Sequence, residues 1–459
     1  MQPARKVFFF VIISVLLFLI VSIIAIQYGF TFQSFNNVNL LSDVVSTSAN
    51  KDQSASADST IKKPVKDSTT KDVSYSFENY KFPGYITAFK TDTLASSLSR
   101  LDAKLLALKQ GKKVKIRIAY LGDSMIEGDL LTQTLRKLFQ QQFGGNGVGF
   151  VPVIYKVGKF RTTVSDDYSG EWQDDNFKTA TAAAKQTLFL SGHTYRSNKA
   201  FVTITDRTIN DSVLLEKNIL CGKSAGSVIQ YNNQPITINA TDNFNRILLS
   251  TDYSHSIKLD INDSNLPMYG VSFESPSGVF VDNFSFRGIS GFELNGIDTS
   301  FLKTIDQNNP YDVIILGYGV NVLYRPNDLN FEWYRKLIGP VIKKFSQSFP
   351  KSDIIIVSTA DRAFRYNGEY KTAVGIDSLI KIQAALAFDN HLCFYNQFAT
   401  MGGANTIVKW ANKTPAFANK DYIHPNLLGS EILAGHFFNA VLNDYNKYLA
   451  ALNTSNKTN

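Results

Sequence analysis

The chain has 459 residues, of which 44% are hydrophobic, and its formal net charge is +8. This length is more than one ordinary domain needs, so we expect two folded bodies. The positive charge is diffuse and accompanies no recognised nucleic-acid motif, which argues against a nucleic-acid partner but is compatible with an anionic wall polymer or lipid. Cys221 and Cys393 lie in no Cys-x-x-Cys or Cys/His cluster, which argues against a structural zinc site and predicts two free, buried thiols.

The amino-terminal segment predicts a membrane anchor. Residues 7–26 are apolar apart from two serines, and twenty helical residues span about 30 Å, one hydrocarbon core. Arg5 and Lys6 precede this run, and no Lys or Arg follows until Lys51, which predicts a single-pass topology with the remainder on the outer, periplasmic face of the cell membrane. No small-x-small cleavage site follows the run, so we favour an uncleaved anchor at residues 1–30 over a cleaved signal peptide.

Residues 31–80 are rich in Ser, Thr, Asp, Asn and Lys, a composition that buries too little apolar surface to fold. They are predicted to form a flexible linker that lets the folded part reach away from the bilayer.

A serine that could act as a nucleophile follows the first strand-like run. Residues 116–121 are mostly apolar, and Gly122-Asp123-Ser124-Met125 comes directly after them. A serine hydroxyl is unreactive at neutral pH until a histidine takes its proton, so Ser124 needs a base supplied from elsewhere in the chain.

Strand-like and helix-like segments alternate on both sides of the middle of the chain, which predicts a parallel sheet with helices on both faces. We assign residues 81–150 and 284–450 to this α/β domain. The expected strand and helix pairs are 115–121 with 129–143, 313–316 with 329–345, 353–358 with 372–388, and 391–395 with 427–441.

The middle of the chain, residues 151–283, has a different pattern. Residues 201–205, 235–239 and 256–261 alternate apolar and polar side chains with turn-forming residues between them. This pattern predicts antiparallel β-structure, and we expect a β-sandwich-like domain inserted into the α/β domain. Such a domain must emerge near the active-site edge of the sheet, where it could hold a polymer.

Two further segments place hydrogen-bond donors after strands. Gly288-Ile289-Ser290-Gly291 follows a strand-like segment, and Tyr318-Gly319-Val320-Asn321 follows a buried one. Ligands of open α/β sheets bind at the carboxyl ends of strands. The N–H groups of Ser124 and Gly291 and the side-chain amide of Asn321 would suit a developing oxyanion.

The missing base and its acid stand near the carboxyl end, in Asp421-Tyr422-Ile423-His424. His424 is the histidine with an acid at this spacing, so it is the expected general base, and Asp421 is expected to hold its imidazole in the right tautomer.

The order Ser, Gly, Asn, His, with Gly-Asp-Ser at the front and Asp-x-x-His at the back, resembles the SGNH (GDSL-type) hydrolase family. The helix after the nucleophile, the glycine-rich residues 143–150 and the long insertion are similar to the bacterial peptidoglycan O-acetylesterases. The resemblance spans residues 115–150 and 284–445. It implies a three-layer sandwich and ester hydrolysis or acyl transfer by Ser124, Asp421 and His424, without metal or organic cofactor.

The function expected from these features is a serine esterase that removes O-acetyl groups from a cell-envelope carbohydrate, with peptidoglycan as the first candidate. One alternative is an O-acetyltransferase to an envelope polysaccharide, which would use the same triad and receive acetyl from a membrane partner. Another is a polysaccharide-binding protein on a hydrolase scaffold. Lysophospholipase activity is also open to this fold.

Overall fold

The computed structural model describes residues 77–89, 96–155, 161–210 and 212–458. The predicted anchor and most of the predicted linker lie outside these residues. Within the described part of the chain, no helix is both long and apolar enough to span a membrane. A 3₁₀ turn at Phe77–Lys81 lies inside the range expected to be linker, and it is folded because Tyr80 is buried against Phe394.

The described strands are β1 (Ile86–Ala88), β2 (Lys115–Gly122), β3 (Gly149–Pro152), β4 (Val164–Gly170), β5 (Gln173–Asn176), β6 (His193–Arg196), β7 (Ala200–Asp206), β8 (Leu215–Cys221), β9 (Ser224–Tyr231), β10 (Gln234–Ala240), β11 (Asn245–Asp252), β12 (Ser256–Ile261), β13 (Met268–Glu274), β14 (Gly278–Ser285), β15 (Val313–Gly317), β16 (Asp353–Val357), β17 (Ala363–Tyr366), β18 (Glu369–Thr372) and β19 (Cys393–Tyr395). The described α-helices are α1 (Ser99–Lys109), α2 (Thr132–Phe143), α3 (Ala182–Lys185), α4 (Thr299–Asn308), α5 (Glu332–Ser348), α6 (Ile376–Asp389), α7 (Gln397–Met401), α8 (Thr406–Asn412) and α9 (Leu427–Thr458).

A six-stranded sheet forms the centre of the α/β domain, in the order β1-β19-β16-β15-β2-β14. The five strands from β19 to β14 are parallel, and β1 pairs antiparallel with β19 at one edge. Both faces are buried, so the strands read as nearly continuous apolar runs, as expected for a parallel sheet covered by helices.

Successive side chains of β2 enter different buried clusters. Ile118 and Tyr120 pack with α1, α2 and α9 on one face, whereas Ala119 and Leu121 pack with α4, α5 and α6 on the other. The domain is therefore a mixed α/β fold with three layers, which confirms the α/β part of the expected fold class.

The inserted segment contains two antiparallel sheets. One has the order β10-β9-β12-β7-β4, and the other has the order β11-β8-β13-β6-β5 with β3 also paired to β13. Both sheets contribute to one buried cluster, for example through Ile204 and Leu259 from the first sheet and Ile219 and Phe273 from the second. The two sheets thus pack face to face as a sandwich. Cys221 and Cys393 are both buried, as predicted, and they are not bonded to each other.

The second of these sheets also packs on the α/β domain. All seven residues of β13 are buried, and its Tyr269 joins the same cluster as Phe284 of β14, whereas Met268 faces the interior of the sandwich. Glu274 at the end of β13 is fully buried and ion-pairs with Arg117 of β2 at 2.8 Å.

Some boundaries differ from those expected. β14 begins at Gly278, inside the range 151–283, because residues 278–285 pair in parallel with β2 from Lys115 to Gly122. β3 belongs to the insertion but begins at Gly149, inside the range 81–150. α9 continues past residue 450 because Tyr445 and Leu449 still pack against the α/β core.

Candidate active site

Three neighbouring strands end level with one another and carry three of the expected site residues. Gly122 at the end of β2 pairs with Gly317 of β15 on one side and Ser285 of β14 on the other. Ser124 therefore follows the middle strand. Gly291 follows β14 and Asn321 follows β15, so the three residues are delivered at the carboxyl edge of the sheet.

A hydrogen-bonded chain joins the expected nucleophile, base and acid. The Oγ of Ser124 lies 2.8 Å from Nε2 of His424, and Nδ1 of the same ring lies 2.8 Å from Oδ2 of Asp421. If Nδ1 carries the proton and donates to the carboxylate, Nε2 is free to accept the serine proton, the arrangement that activates a serine nucleophile. Ser124 and His424 are both partly exposed, so a substrate can reach them.

The loop that holds His424 is fixed by its own backbone. Oδ1 of Asp421 accepts hydrogen bonds from the N–H groups of Ile423 at 2.9 Å and His424 at 3.1 Å. Tyr422, which follows Asp421, has a left-handed φ of 57°. The carbonyl of Tyr422 accepts the N–H of Ala363 at 3.0 Å, which ties the loop to β17. Partial burial acts to raise the pKa of Asp421, but the hydrogen bonds from His424 and Ile423 outweigh it, so this pKa lies below its usual range.

The backbone conformation and the close neighbours of Gly291 favour glycine at this position. Its φ is 92°, and a Cβ at this position would lie 2.7 Å from Cδ2 of Tyr318. The neighbouring Ser290 N–H donates to Oε2 of Glu293 at 3.1 Å, and the Gly291 N–H also acts to lower the pKa of that carboxyl, which burial raises. Gly291 thus lies beside the site with its N–H directed at Glu293.

The side chain of Asn321 is close to the nucleophile loop but is already occupied. Its Nδ2 donates to Oδ2 of Asp123 at 3.0 Å and to the carbonyl of Ile289 at 2.8 Å. An amide nitrogen has two hydrogens, so both are used by these contacts. Asn321 links the loops after β2 and β14, and its role as an oxyanion donor stays a prediction.

Asp123 is the buried acid beside the nucleophile. It is fully buried, and this burial raises its pKa to about 7, against the hydrogen bonds from Met125 and Asn321. The Asp123 carboxyl therefore changes charge near neutral pH, one residue away from Ser124.

An ion pair and a further arginine at the site were not anticipated from the sequence. Arg287 donates through Nε to Oε2 of Glu127 at 2.7 Å, and Glu127 N–H donates to the carbonyl of Ser124 at 3.4 Å. Arg362 donates through Nη1 to the carbonyl of Val320 at 2.7 Å, and its buried Nε has no hydrogen-bond partner in the described part of the chain. The Glu127–Arg287 pair is 160 residues apart, a separation that gives no local signal.

Two carboxylates of the candidate site also influence the pKa of Arg362. Burial lowers the pKa of Arg362, whereas Asp421 and then Asp123 act in the opposite direction. Among the described residues, no group of three or more His, Cys, Asp or Glu side chains is arranged to hold a metal ion.

Comparison with solved structures identifies the fold. A structure of a peptidoglycan O-acetylesterase matches 79% of this chain and 99% of its own, with 19% identity and a TM-score of 0.66. The chain has the SGNH hydrolase fold. This confirms the resemblance expected from the order Ser, Gly, Asn, His.

Two other solved structures overlap a smaller part of the chain. A putative GDSL-like lipase from Parabacteroides merdae has 18% identity, covers 35% of this chain and 72% of its own, and has a TM-score of 0.27. An acetylxylan esterase from Geobacillus stearothermophilus has 18% identity, covers 36% of this chain and 73% of its own, and has a TM-score of 0.26. No family sequence model and no curated protein sequence matches the chain.

Proposed function

We propose that the protein is a serine esterase that removes O-acetyl groups from a cell-envelope carbohydrate, with peptidoglycan as the first candidate substrate. The observation that carries the proposal is the chain of hydrogen bonds from Ser124 through His424 to Asp421. This chain lies at the carboxyl edge of a parallel sheet, where an incoming ester meets the serine hydroxyl.

The reaction follows from these contacts. Ser124 Oγ attacks the acetyl carbonyl while Nε2 of His424 takes the hydroxyl proton, and Asp421 stabilises the imidazolium that forms. The tetrahedral intermediate collapses, His424 returns the proton to the departing sugar hydroxyl, and the acetyl group stays on Ser124. A water molecule, deprotonated by His424, then attacks this acetyl-serine and releases acetate.

The oxyanion of each tetrahedral intermediate needs donors placed before the reaction. We assign this role to the N–H groups of Ser124 and Gly291 and to the amide of Asn321. In this assignment Asn321 exchanges one of its present contacts, to Asp123 or to the Ile289 carbonyl, for the oxyanion, and the Gly291 N–H exchanges its contact with the Glu293 carboxyl.

The choice of substrate and location rests on two supports. The solved structure with the same fold over 79% of this chain is of a peptidoglycan O-acetylesterase. The sequence predicts an anchor at residues 7–26 with the catalytic part outside, which would bring the site to the envelope.

The test compares wild type with Ser124→Ala on a small acetyl ester and on O-acetylated peptidoglycan, measuring acetate release. The variant should lose on the order of a thousandfold or more in turnover on both. Ser169→Ala, at an exposed serine of β4, serves as the control and should keep full activity. Near-normal acetate release by folded Ser124→Ala would contradict the mechanism.

The same assay distinguishes hydrolysis from acyl transfer. Longer acyl esters report on the acyl-length preference, and an added sugar acceptor competes with water for the acetyl-serine. An esterase should release acetate at the same rate with and without the acceptor. Acetylation of the acceptor in place of acetate release would favour the transferase.

A further inference from the structure

A second feature next to the candidate active site is a cavity between the β-sandwich and the α/β domain. Its volume is about 330 Å³, which lies at the lower end of the range of small-molecule sites. The α/β domain contributes Glu127 and Arg287 to its wall, and the sandwich contributes Arg161, Lys178, Ser191 and His193.

The cavity begins one turn of chain away from the nucleophile. Glu127 lines it, and the N–H of Glu127 donates to the carbonyl of Ser124. Arg287 closes this side through its ion pair with Glu127. A polymer whose reacting unit lies at Ser124 would therefore reach the cavity with a neighbouring unit.

Two cations of the wall, Lys178 and Arg161, form no ion pair with an acid of the wall itself. Arg287 is paired with Glu127, and His193 Nδ1 lies 2.7 Å from Oδ1 of Asp174, so both acids of the wall already have partners. Lys178 donates to the carbonyl of Arg287 at 3.0 Å and makes no ion pair with the described residues.

Arg161 is the second of these cations. It lies 3.4 Å from Oδ2 of Asp129, but this carboxylate also pairs with Arg136 at 2.9 Å. One carboxylate is thus shared by two guanidinium groups, and neither Arg136 nor Asp129 faces the cavity.

Two polar atoms in the wall lack partners in the described part of the chain. They are Nη2 of Arg161 and Oγ of Ser191, and each residue is only 5% exposed. Buried donors without partners are rare and destabilising, so a small rotation that lets a ligand accept from them would be favourable. Both are donors, and together with Lys178 they match an anionic oxygen-rich group.

The remaining wall suits the body of a sugar. Tyr155 and Phe286 line the cavity, and aromatic side chains pack against apolar sugar faces. The ring of His193 stacks on those of Tyr195 and Phe286, with ring centroids 5.4 Å and 5.0 Å apart. These contacts hold the aromatic side of the cavity wall in place.

We propose that this cavity binds a saccharide unit that carries a carboxylate and belongs to the same polymer as the acetylated unit. Lys178 and Arg161 bind the carboxylate, Ser191 donates to it, and the aromatic wall packs on the ring. The inference rests on the proposed esterase function for its polymer and deepens it by naming the class of substrate.

The kinetic test uses Lys178→Ala, which removes the exposed cation, and Thr179→Trp, which fills the cavity from its exposed rim. On an O-acetylated, carboxylate-bearing oligosaccharide, each variant should raise KM by about tenfold with a smaller change in kcat. Hydrolysis of p-nitrophenyl acetate should be unchanged, which also shows that the variants fold. Lys223→Ala, at an exposed lysine of the sandwich outside the cavity, is the matched control and should behave as wild type.

The role of the carboxylate is isolated by reducing it to an alcohol on the same oligosaccharide. Reduction should raise the KM of wild type by at least the factor that Lys178→Ala does, and should raise the KM of Lys178→Ala by a smaller factor than it raises that of wild type, because only the contacts of Arg161 and Ser191 remain to be lost. Equal losses of Lys178→Ala on native and reduced substrates would overturn the proposal, and so would an equal loss in Lys223→Ala.

A binding measurement separates failure of this site from failure of the proposed function. Calorimetry on Ser124→Ala needs no turnover, and its arms are a muramic-acid disaccharide, whose carboxylate is on a lactyl group, and a uronic-acid disaccharide. The site is supported if Ser124→Ala binds either disaccharide and the Ser124→Ala, Lys178→Ala double variant does not, whatever the acetate assay shows. The disaccharide that binds identifies the source of the carboxylate. Absence of binding in both arms overturns the cavity proposal even if acetate release is normal.

Discussion

At the scale of single residues, the two donor hydrogens of Asn321 decide how the candidate oxyanion hole can work. These hydrogens are donated to Asp123 and to the carbonyl of Ile289, so Asn321 connects two loops. It can donate to an oxyanion only if one of these two hydrogen bonds breaks. The Asp123 contact involves a carboxyl with a pKa of about 7, so the charge opposite Asn321 varies near neutral pH.

We predict that Asn321→Ala lowers kcat by about a hundred- to a thousandfold with a smaller change in KM. The reason is that the amide would meet the oxyanion only as negative charge develops in the transition state. Steady-state kinetics on a small acetyl ester provide the measurement.

Asn283→Ala is the matched control for a purely connecting role. Asn283 also donates to the loop after the nucleophile, to the carbonyl of Ile126 at 2.7 Å, but it is not among the expected oxyanion donors. Similar losses of kcat in both variants would mean that Asn321 acts by positioning the loop. A change confined to KM in Asn321→Ala would assign it to substrate binding.

The residues of the candidate triad could be found from the sequence because each stands in a short motif. Gly-Asp-Ser and Asp-x-x-His carry their own local geometry, and the structure brings Ser124 and His424 within hydrogen-bonding distance across 300 residues. The contacts of Asn321 and the Glu127–Arg287 pair have no such motif. They depend on how three strand ends pack together, which the spacing of residues along the chain does not encode.

At the scale of elements, apolar runs and periodicity predicted the existence of the parallel strands and their helices. They did not predict the residues at which some of these elements begin and end. A strand-like segment was expected from residue 284, whereas β14 also includes Val279, Phe280 and Val281. Their pairing partner is β2, more than 150 residues earlier, and only that pairing assigns them to the central sheet. α9 is longer than expected for a similar reason, because its last turns pack against residues of distant elements.

The first turn of α1 contains a buried acid whose charge opposes folding. Asp102 is fully buried, and neither of its carboxyl oxygens has a hydrogen-bond partner among the described residues; burial raises its pKa to about 8, with further contributions from Asp444 and Asp353. Asp444 of α9 accepts the N–H groups of Ser97 at 3.0 Å and Leu98 at 2.8 Å, so two acids lie where α1 begins.

We predict that Asp102→Asn raises the melting temperature, and that its advantage over wild type grows from pH 5 to pH 8 and then levels off. In the unfolded chain Asp102 loses its proton near pH 4, whereas the folded protein keeps it until about pH 8, so folded wild type binds more protons between these values. Its stability therefore falls as pH rises through this window, by up to about 1.4 kcal/mol per pH unit from this group. The side chain of the Asp102→Asn variant is neutral at all of these pH values, so its stability does not fall for this reason.

Thermal unfolding of both proteins at intervals of one pH unit measures the effect. Asp377→Asn, at an exposed acid in the first turn of α6, is the control and should show no such trend. A difference between Asp102→Asn and wild type that stays constant with pH would show that Asp102 is ionised in the folded protein throughout.

At the scale of the whole molecule, the expected topology stays a prediction because residues 1–76 lie outside those that the structure describes. We predict that protease added to intact spheroplasts digests the catalytic part, since Arg5 and Lys6 precede the uncharged residues 7–26. Immunoblotting of the catalytic part is the measurement, with a cytoplasmic protein as the control for intact cells. Protection of the catalytic part, or a mature protein that begins near residue 30, would contradict an anchored, outward-facing enzyme.

The insertion was expected to be an added module, and its alternating strands supported that view. The structure instead buries both faces of its second sheet, one in the sandwich and the other against the α/β core. Deleting residues 151–283 would therefore expose Phe284 and Tyr311 and remove the partner of Arg117. Point substitutions test the contribution of the insertion more cleanly than its removal does.

Glu274 is the residue on which the connection of the two bodies can be tested. It is fully buried and contacts Arg117 of β2 at 2.8 Å, Arg246 of β11 at 2.9 Å and Lys115 of β2 at 3.1 Å. Burial acts to raise the pKa of Glu274, but the neighbouring cations outweigh it and hold the pKa well below its usual range, so Glu274 is a buried anion shared by both bodies.

We predict that Glu274→Gln lowers the free energy of unfolding by about 3–5 kcal/mol, because it keeps the shape of the side chain but leaves buried guanidinium groups without a counter-charge. Glu216→Gln is the matched control. Glu216 pairs with Lys115 at 2.6 Å but is 31% exposed, so its loss should change stability by less than about 1 kcal/mol. Denaturant unfolding followed by tryptophan fluorescence measures both. Variants that retain a single tryptophan separate the signals, with Trp172 reporting on the sandwich and Trp410 on the α/β domain after Trp333 is also replaced. Coincident transitions in wild type are expected from the shared core. Separate transitions, or equal small effects of the two substitutions, would mean that the sandwich folds independently and that the buried ion network does not hold it to the α/β domain.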